Sequence, residues 1–149
     1  MSTLALNRQA NFDYTILETF EAGLKLSGPE VKSVRAKNVS FKGSYVDFGN
    51  TGTPRVVSMH IGAYAPAARE QHDYNPTQTR ELLLNKKEID YLRGKTDRTG
   101  LTLVPLRLYT HGKRIKLEIG LAKGKKKYDK RETIKKKDVA RAKQRGLEI

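Results

Sequence analysis

The chain has 149 residues, of which 30 are Lys or Arg and 16 are Asp or Glu, so its formal net charge is +14. It contains no cysteine, which excludes disulfides and thiolate metal sites and fits a reducing compartment. No apolar run approaches the roughly 18–20 residues needed to span a bilayer, and the N-terminus lacks the apolar stretch of a secretory signal. We expect a cytoplasmic protein made of one domain and a tail.

The first half of the chain is predicted to contain strands and one short helix. Apolar residues alternate in residues 14–21, 24–26, 39–48 and 55–61, which predicts strands there. The last of these would bury Val57, Met59 and Ile61. Between the second and third strands, Ser27-Gly28-Pro29-Glu30 is typical of a helix start, and the helix is expected to end near residue 37.

The second half is predicted to contain a long loop, a second helix and a β-hairpin. Residues 62–79 show little periodicity, which indicates a loop, and loops of this length are often functional. Asn85 and Glu88 have capping-box spacing and open a helix that runs to about residue 93. Residues 101–109 and 113–121 are two strands joined at His111-Gly112. The second strand places Ile115, Leu117, Ile119 and Leu121 inward and Arg114, Lys116 and Glu118 outward.

Five or six short strands with two small helices predict a closed or partly closed antiparallel barrel, because closure removes exposed strand edges. Pro105 lies inside a predicted strand, where it is compatible only with an edge or a barrel corner. We assign residues 1–122 to this barrel and residues 123–149 to a tail.

Nothing in the sequence predicts an enzyme, a metal site or a cofactor. None of the three histidines, His60, His72 and His111, has a second ligand at metal-binding spacing on a predicted helix. The segment Gly120-Leu-Ala-Lys-Gly-Lys-Lys-Lys lacks both the first glycine of a P-loop at its required spacing and the Ser/Thr after the lysine. Gly124 is better interpreted as a hinge between barrel and tail.

The tail carries more than half of the net charge. Residues 123–149 contain twelve Lys/Arg against four acidic residues, a net charge of +8. Such a segment repels itself and has little apolar surface to bury, so it requires a polyanion, and nucleic acid is the first partner to consider. A membrane surface is not expected to be the partner, because the tail has no bulky apolar anchor.

Tyrosines scattered among the cations add a second feature of RNA-binding proteins, since bases stack on rings while Lys and Arg neutralise phosphates. The candidates are Tyr14, Tyr45, Tyr64, Tyr74 and Tyr128. Core packing explains Tyr14 and Tyr45 equally well, whereas Tyr128 lies among charges and has no such explanation.

Several motifs in unbroken order from about residue 7 to residue 137 closely resemble the SsrA-binding protein (small protein B, SmpB) family. They are Asn7-Arg8-Gln9-Ala10 with Tyr14, Phe20-Glu21-Ala22-Gly23-Leu24, Glu30-Val31-Lys32-Ser33-Val34-Arg35, Ser44-Tyr45-Val46, Arg80-Glu81-Leu82-Leu83-Leu84, Gly100-Leu101-Thr102-Leu103-Val104-Pro105 and the segment from Gly120 to Glu132.

The resemblance implies a mainly β, oligonucleotide-binding (OB)-fold-like antiparallel β-barrel with two or three small flanking helices and a basic C-terminal tail. It also implies a noncatalytic role in trans-translation. The expected partners are the tRNA-like domain of transfer-messenger RNA, the small-subunit decoding centre and mRNA channel of the stalled ribosome, and, through the RNA, the elongation factor that carries aminoacyl-tRNA.

The resemblance also assigns site residues. RNA-binding positions are expected at Asn7, Arg8, Tyr14, Glu21, Lys32, Arg35, Tyr45, Arg80 and Leu83. Among them, Lys32, Arg35 and Arg80 are expected to contact phosphates. Glu21 would accept hydrogen bonds from base amino groups or 2′-OH groups, or orient a neighbouring Lys, and Leu83 would pack against an unstacked base.

The tail is expected to be disordered when free and helical in the empty decoding site and mRNA channel. Asp129 and Glu132 have capping-box spacing, so the helix would begin near Lys130. The residues assigned to the ribosome contact are Lys123, Lys125, Lys126, Lys127, Tyr128, Asp129, Lys130, Arg131, Lys135, Lys136 and Lys137.

The chain departs from the family pattern at three positions. Phe12 stands where His is common, and Gln78 and Glu81 stand where the family often has Arg and Lys. Two other functions compete with the leading one: a ribosomal or translation-factor barrel that uses its tail as an rRNA anchor, and a small basic nuclease. Preference for transfer-messenger RNA over bulk tRNA separates the first from the leading function, and metal- or His-dependent cleavage would identify the second.

Overall fold

The computed structural model describes residues 2–65 and 73–125. Its elements are β1 (Thr3–Leu6), α1 (Arg8–Asp13), β2 (Tyr14–Leu24), α2 (Gly28–Arg35), β3 (Val39–Ser40), β4 (Tyr45–Asp47), β5 (Arg55–Val57), β6 (His60–Ile61), β7 (Arg80–Leu83), α3 (Lys86–Thr99), β8 (Thr102–His111) and β9 (Arg114–Gly124).

Six strands close into a barrel. Hydrogen-bonded neighbours run in the order β8, β4, β5, β7, β2 and β9, and β9 pairs again with β8. The pairings are antiparallel, β1 extends the edge of β8, and β3 pairs with β6 in a separate small sheet. The predicted mainly β, OB-like barrel with flanking helices is confirmed.

The barrel interior is filled by large apolar side chains from every wall. Those with almost no exposed surface include Val56, Met59, Ile61, Leu82, Leu92, Leu103, Leu108, Leu117, Ile119 and Leu121. Burying each contributes about 1.5–3 kcal/mol relative to leaving it in water. This core is the rigid support on which the outward-facing polar residues are placed.

The β8–β9 hairpin and the β2–β9 pair are the two longest pairings, and the inward alternation predicted for β9 is confirmed. Pro105 lies where the β8–β9 register shifts, between the part of β8 that pairs with β4 and the part that pairs with β1. An irregular point of this kind tolerates proline. β9 continues to Gly124, so the predicted boundary after residue 122 falls inside a strand and Gly124 is a paired strand residue.

Two predicted strands are each split in two. A turn with Gly43 at φ 74° separates β3 from β4, and Ser58 at φ 63° separates β5 from β6. Because Ser58 takes a left-handed conformation, the alternation does not run through it. As a result Val56 is fully buried and Val57 is not, which corrects the predicted register.

Both predicted helix starts are confirmed. Ser27 caps α2 in a capping box with Glu30, and Asn85 caps α3 in one with Glu88. α3 runs on to Thr99, where Gly100 ends it in a left-handed conformation, so the predicted end near residue 93 was too early.

Candidate nucleic-acid interface

A cleft of about 910 Å³ lies between β1 with α1 on one side and the segment from the end of α2 to β4 on the other. We call it the α1 cleft. Four predicted RNA-binding residues line it, namely Asn7, Arg8, Tyr14 and Tyr45. Lys37 and Lys42 line it as well. The cleft therefore combines aromatic rings with cations, which allows bases to stack while phosphates are neutralised.

Asn7 joins the α1 cleft to the barrel. Its backbone N–H donates to the carbonyl of Leu106 at 2.8 Å, and its side-chain amide donates to the carbonyl of Pro105 at 2.7 Å. The amide nitrogen is thus used within the fold, where it fixes the entry to α1. Tyr45 begins β4 with 45% of its surface exposed, so its ring is accessible from the cleft.

A smaller cleft of about 300 Å³ lies where β7 meets the β8–β9 hairpin. We call the surface formed by Leu83, Lys113, Arg114 and Lys116 the hairpin face. Leu83 is 54% exposed, and Arg35 donates to the carbonyl of Lys113 at 3.0 Å, which ties α2 to the hairpin. The three hairpin cations were not predicted as site residues, although the outward alternation of Arg114 and Lys116 was visible in the sequence.

Leu83 is held close to β2 by the absence of a side chain at Gly23, its partner in the β2–β7 pairing. A Cβ atom on Gly23 would lie 3.0 Å from the Cβ of Leu83 and 3.3 Å from its Cδ1. Contacts of that length force the neighbouring side chain to move. Glycine at this position therefore sets how Leu83 is presented on the hairpin face.

Glu21 lies on the outer surface of β2, directly opposite Glu118 of β9. Its carboxylate accepts a hydrogen bond from the hydroxyl of Tyr109 and lies 3.3 Å from Nδ1 of His111. The Tyr109 hydroxyl, with smaller effects from His111 and Lys116, holds the pKa of Glu21 below its usual range, against the opposing effect of desolvation. Burial, with the neighbouring Glu21 carboxylate, raises the pKa of Tyr109.

Lys32 projects from the exposed side of α2, with its ammonium group 5.6 Å from the centre of the Tyr64 ring. This is the distance of a cation–π contact. Lys32 is exposed, and its contact with a phosphate stays a prediction.

Arg80 is the one predicted phosphate contact that burial rules out, since only 3% of it is exposed. Its guanidinium donates to the Glu30 carboxylate at 2.6 Å, to the carbonyls of Met59 and Pro76, and to the hydroxyl of Tyr74. The Tyr74 hydroxyl has one proton to donate, and two acceptors lie within reach of it: the Glu30 carboxylate at 3.0 Å and the Ile61 carbonyl at 2.8 Å. We call Glu30, Tyr74 and Arg80 the buried node, whose bonds fix the hydroxyl of the half-buried Tyr74.

Gln78 and Glu81, the two residues near Arg80 that depart from the family pattern, each contact another residue of this chain. Gln78 donates to the Glu30 carboxylate at 3.2 Å, so its amide supports the buried node. Glu81 forms an exposed ion pair with Lys25 at 2.7 Å. Both side chains therefore make contacts within this chain. An Arg or Lys at either position would place a second positive charge close to Arg80 or Lys25.

The tail is described only at its root. The backbone N–H of Lys125 donates to the carbonyl of Asp13 at 2.9 Å, and its ammonium group donates to the carbonyl of Asn11 at 2.7 Å. The tail therefore leaves the barrel beside α1. The other tail positions, Lys126, Lys127, Tyr128, Asp129, Lys130, Arg131, Lys135, Lys136 and Lys137, lie outside the described residues, as does His72.

Within residues 2–65 and 73–125, no cluster of three or more His, Asp or Glu side chains is arranged to hold a metal ion. Helices long and apolar enough to cross a membrane are likewise absent from this part of the chain. The chemistry offered by the two clefts is recognition of charge and of base surfaces.

A barrel of this topology with rings and cations in surface clefts defines an OB-like nucleic-acid-binding protein. Comparison with known proteins agrees with this class. Residues 4–149 match the family described as SmpB protein.

Curated relatives are similar over almost the whole chain. An SsrA-binding protein of Nitratiruptor sp. is 51% identical over 142 residues, which cover 95% of this chain and 93% of the relative. An SsrA-binding protein of Oleidesulfovibrio alaskensis is 49% identical over 144 residues, covering 97% and 91%. One solved structure, described as "tmRNA-SmpB: a journey to the center of the bacterial ribosome", contains a chain that is 42% identical, with a TM-score of 0.66, covering 85% of this chain and 87% of that one. The chain belongs to the SmpB family.

Proposed function

We propose that this chain binds the tRNA-like domain of transfer-messenger RNA and delivers that RNA to stalled ribosomes, where it supports peptide tagging and ribosome rescue. The family supports this proposal, since its members are named for SsrA binding and the solved relative is described with transfer-messenger RNA and the bacterial ribosome. The structural observation that carries it is the α1 cleft, which gathers Asn7, Arg8, Tyr14 and Tyr45 from distant parts of the sequence.

The role is noncatalytic, and binding uses two surfaces. Tyr14 and Tyr45 offer rings in the α1 cleft, and Arg8 neutralises phosphates there. The cations of the hairpin face, with Lys32 and Arg35 on α2, hold a second stretch of backbone. Each phosphate contact adds affinity that falls as salt rises. Selection of one RNA follows from the shape that engages both surfaces together.

The tail acts separately, by occupying the empty decoding site and mRNA channel. Its charge of +8 in residues 123–149 suits a channel lined by rRNA phosphates. Its root beside α1 supports this division, because Lys125 is bonded to the barrel and marks the point from which residues 126–149 would extend into the ribosome. The elongation factor that carries aminoacyl-tRNA joins through the RNA, and the site of action is the cytoplasm.

Truncation after Lys125 tests the division of work. This cut keeps the whole of β9 and the hydrogen bond from Lys125 to α1. A cut after residue 121 would remove the end of β9 and that bond. We expect the truncated protein to bind transfer-messenger RNA with nearly full-length affinity and to lose peptide tagging on stalled ribosomes. The two measurements are equilibrium RNA binding and a reconstituted tagging assay.

Two outcomes would contradict this account. Loss of specific RNA binding along with tagging would show that the tail, and not the barrel, selects the RNA. Full tagging by the truncated protein would remove the decoding-site role of the tail. A full-length variant with Lys135, Lys136 and Lys137 changed to Gln is the matched control, because it keeps the chain length and removes charge alone.

A further inference from the structure

Glu21 and Glu118 form a carboxylate pair that a β-sheet does not normally keep. The two residues face each other across β2 and β9, and like charges directly opposite each other destabilise a sheet. Arg107 forms an ion pair with Glu118, and its Nε lies 3.1 Å from that carboxylate. Glu21 is left to Tyr109 and His111 of β8, which lies beyond β9, and to the charge of Lys116.

The Tyr109 ring is itself fixed. It is 3% exposed, and the guanidinium of Arg107 lies 4.3 Å from its ring centre. Arg107 also donates to the hydroxyl of Thr3 at 3.1 Å. The hydroxyl that reaches Glu21 therefore comes from a side chain with little freedom to turn away.

Glu21 nevertheless keeps an open side, because 40% of its side chain is exposed. It lies beside the hairpin face, since His111 and Lys113 belong to the same β-turn and Lys116 pairs with Gly23, two residues further along β2. An ionised carboxylate fixed at the edge of a cationic surface repels phosphates and accepts hydrogen bonds from amino or hydroxyl groups. RNA offers these groups as exocyclic base amines and 2′-OH groups.

We propose that Tyr109 and His111 are positioning residues that aim the Glu21 carboxylate at such a donor group of the bound RNA. This inference rests on the proposed function. Tyr109 acts through Glu21 and does not itself touch the RNA, because its ring is covered. His111 contacts the same carboxylate from the exposed side, at 3.3 Å. It therefore restricts rotation of the carboxylate toward solvent.

The test is Tyr109→Phe in the full-length protein, with binding to transfer-messenger RNA measured at fixed salt. Removing the hydroxyl keeps the ring under Arg107 and is expected to weaken binding by up to about tenfold, because the Glu21 side chain must then be ordered by the RNA itself. The pKa of Glu21, followed by NMR of its side-chain carbon, is expected to rise toward its ordinary value. His111→Gln, at an exposed position, provides a second variant in case Tyr109→Phe folds poorly.

Tyr91→Phe is the matched control, because the hydroxyl of Tyr91 donates at 2.6 Å to Glu18, which lies on β2 as Glu21 does. We expect it to leave RNA binding unchanged. Glu21→Gln measures the full loss of RNA affinity when the carboxylate is removed. The double variant Glu21→Gln with Tyr109→Phe is expected to bind no worse than Glu21→Gln alone, because the two changes remove the same interaction.

Two results would overturn the inference: binding by Tyr109→Phe equal to that of Tyr91→Phe, or normal binding by Glu21→Gln. In either case the full-length protein would still prefer transfer-messenger RNA, and the proposed function would stand. Loss of that preference in the unaltered protein is the separate result that removes the proposed function itself.

Discussion

Single residues decide which cations are available to RNA, and Arg80 shows this most clearly. Its sequence context, in a loop beside exposed polar residues, predicts a surface cation. Burial instead makes it the centre of the buried node, where it bonds Glu30 of α2 and the Met59 carbonyl directly and is connected to Ile61 of β6 through Tyr74. Burial raises the pKa of Glu30, but the hydrogen bond from Ser27 and the contacts with Arg80 outweigh it, so the pKa lies below its usual range.

Arg80→Ala is therefore expected to destabilise the fold more than it affects any one RNA contact. Removing one partner of a buried ion pair leaves the other unpaired and costs about 3–5 kcal/mol. Urea unfolding measures this loss. Lys25→Ala is the control, since the Lys25–Glu81 pair is exposed and such pairs contribute at most about 1 kcal/mol. Equal losses for the two variants would contradict the role of the buried node.

Whole elements were predictable where the signal is local. The capping boxes at Ser27 and Asn85 lie within four residues of sequence, and both helix starts follow from them. β1 and β7 gave no comparable signal, because β8, β5 and β2, far away in the sequence, hold them in place. The sequence prediction ended α3 too early, because Gly94 interrupts the helical pattern and the residues around it are already mostly polar.

The two glycines of α3 are expected to respond in opposite ways to alanine. Gly94 is inside the helix, and a Cβ atom added there would have nothing within 4 Å, so Gly94→Ala is expected to stabilise the protein by about 0.5–1 kcal/mol. Gly100 has φ 67°, so Gly100→Ala is expected to cost about 1 kcal/mol or more. Thermal unfolding of each variant checks this pair, and shifts of the same sign would contradict the cap assignment.

At the scale of the whole molecule, seven of the nine predicted RNA-binding residues lie on or beside two surfaces, whereas Lys32 lies on α2 and Arg80 is buried. Asn7, Arg8, Tyr14 and Tyr45 line the α1 cleft. Leu83 lies on the hairpin face, Arg35 of α2 bonds to the Lys113 carbonyl there, and Glu21 lies beside it. The motifs identified these residues one by one, but their grouping depends on which strands close the barrel, and no local pattern contains that information.

Charge and composition predicted a nucleic-acid partner, but they did not predict how one RNA is chosen. Cations alone give affinity without selection, since any phosphate backbone satisfies them. Selection requires that both surfaces be engaged by a single rigid RNA shape. The barrel meets this requirement, because both surfaces are built on its packed strands and helices, the hairpin face on the main apolar core and α1 on a second apolar cluster.

The most direct test of this account is an equilibrium competition at moderate salt, in which the tRNA-like domain of transfer-messenger RNA and bulk tRNA compete for the full-length protein. The account predicts that the tRNA-like domain displaces a labelled copy of itself at far lower concentration than tRNA does. It also predicts that replacing both Tyr14 in the α1 cleft and Leu83 on the hairpin face with Ala removes most of this difference. Equal competition by the two RNAs against the unaltered protein would contradict it.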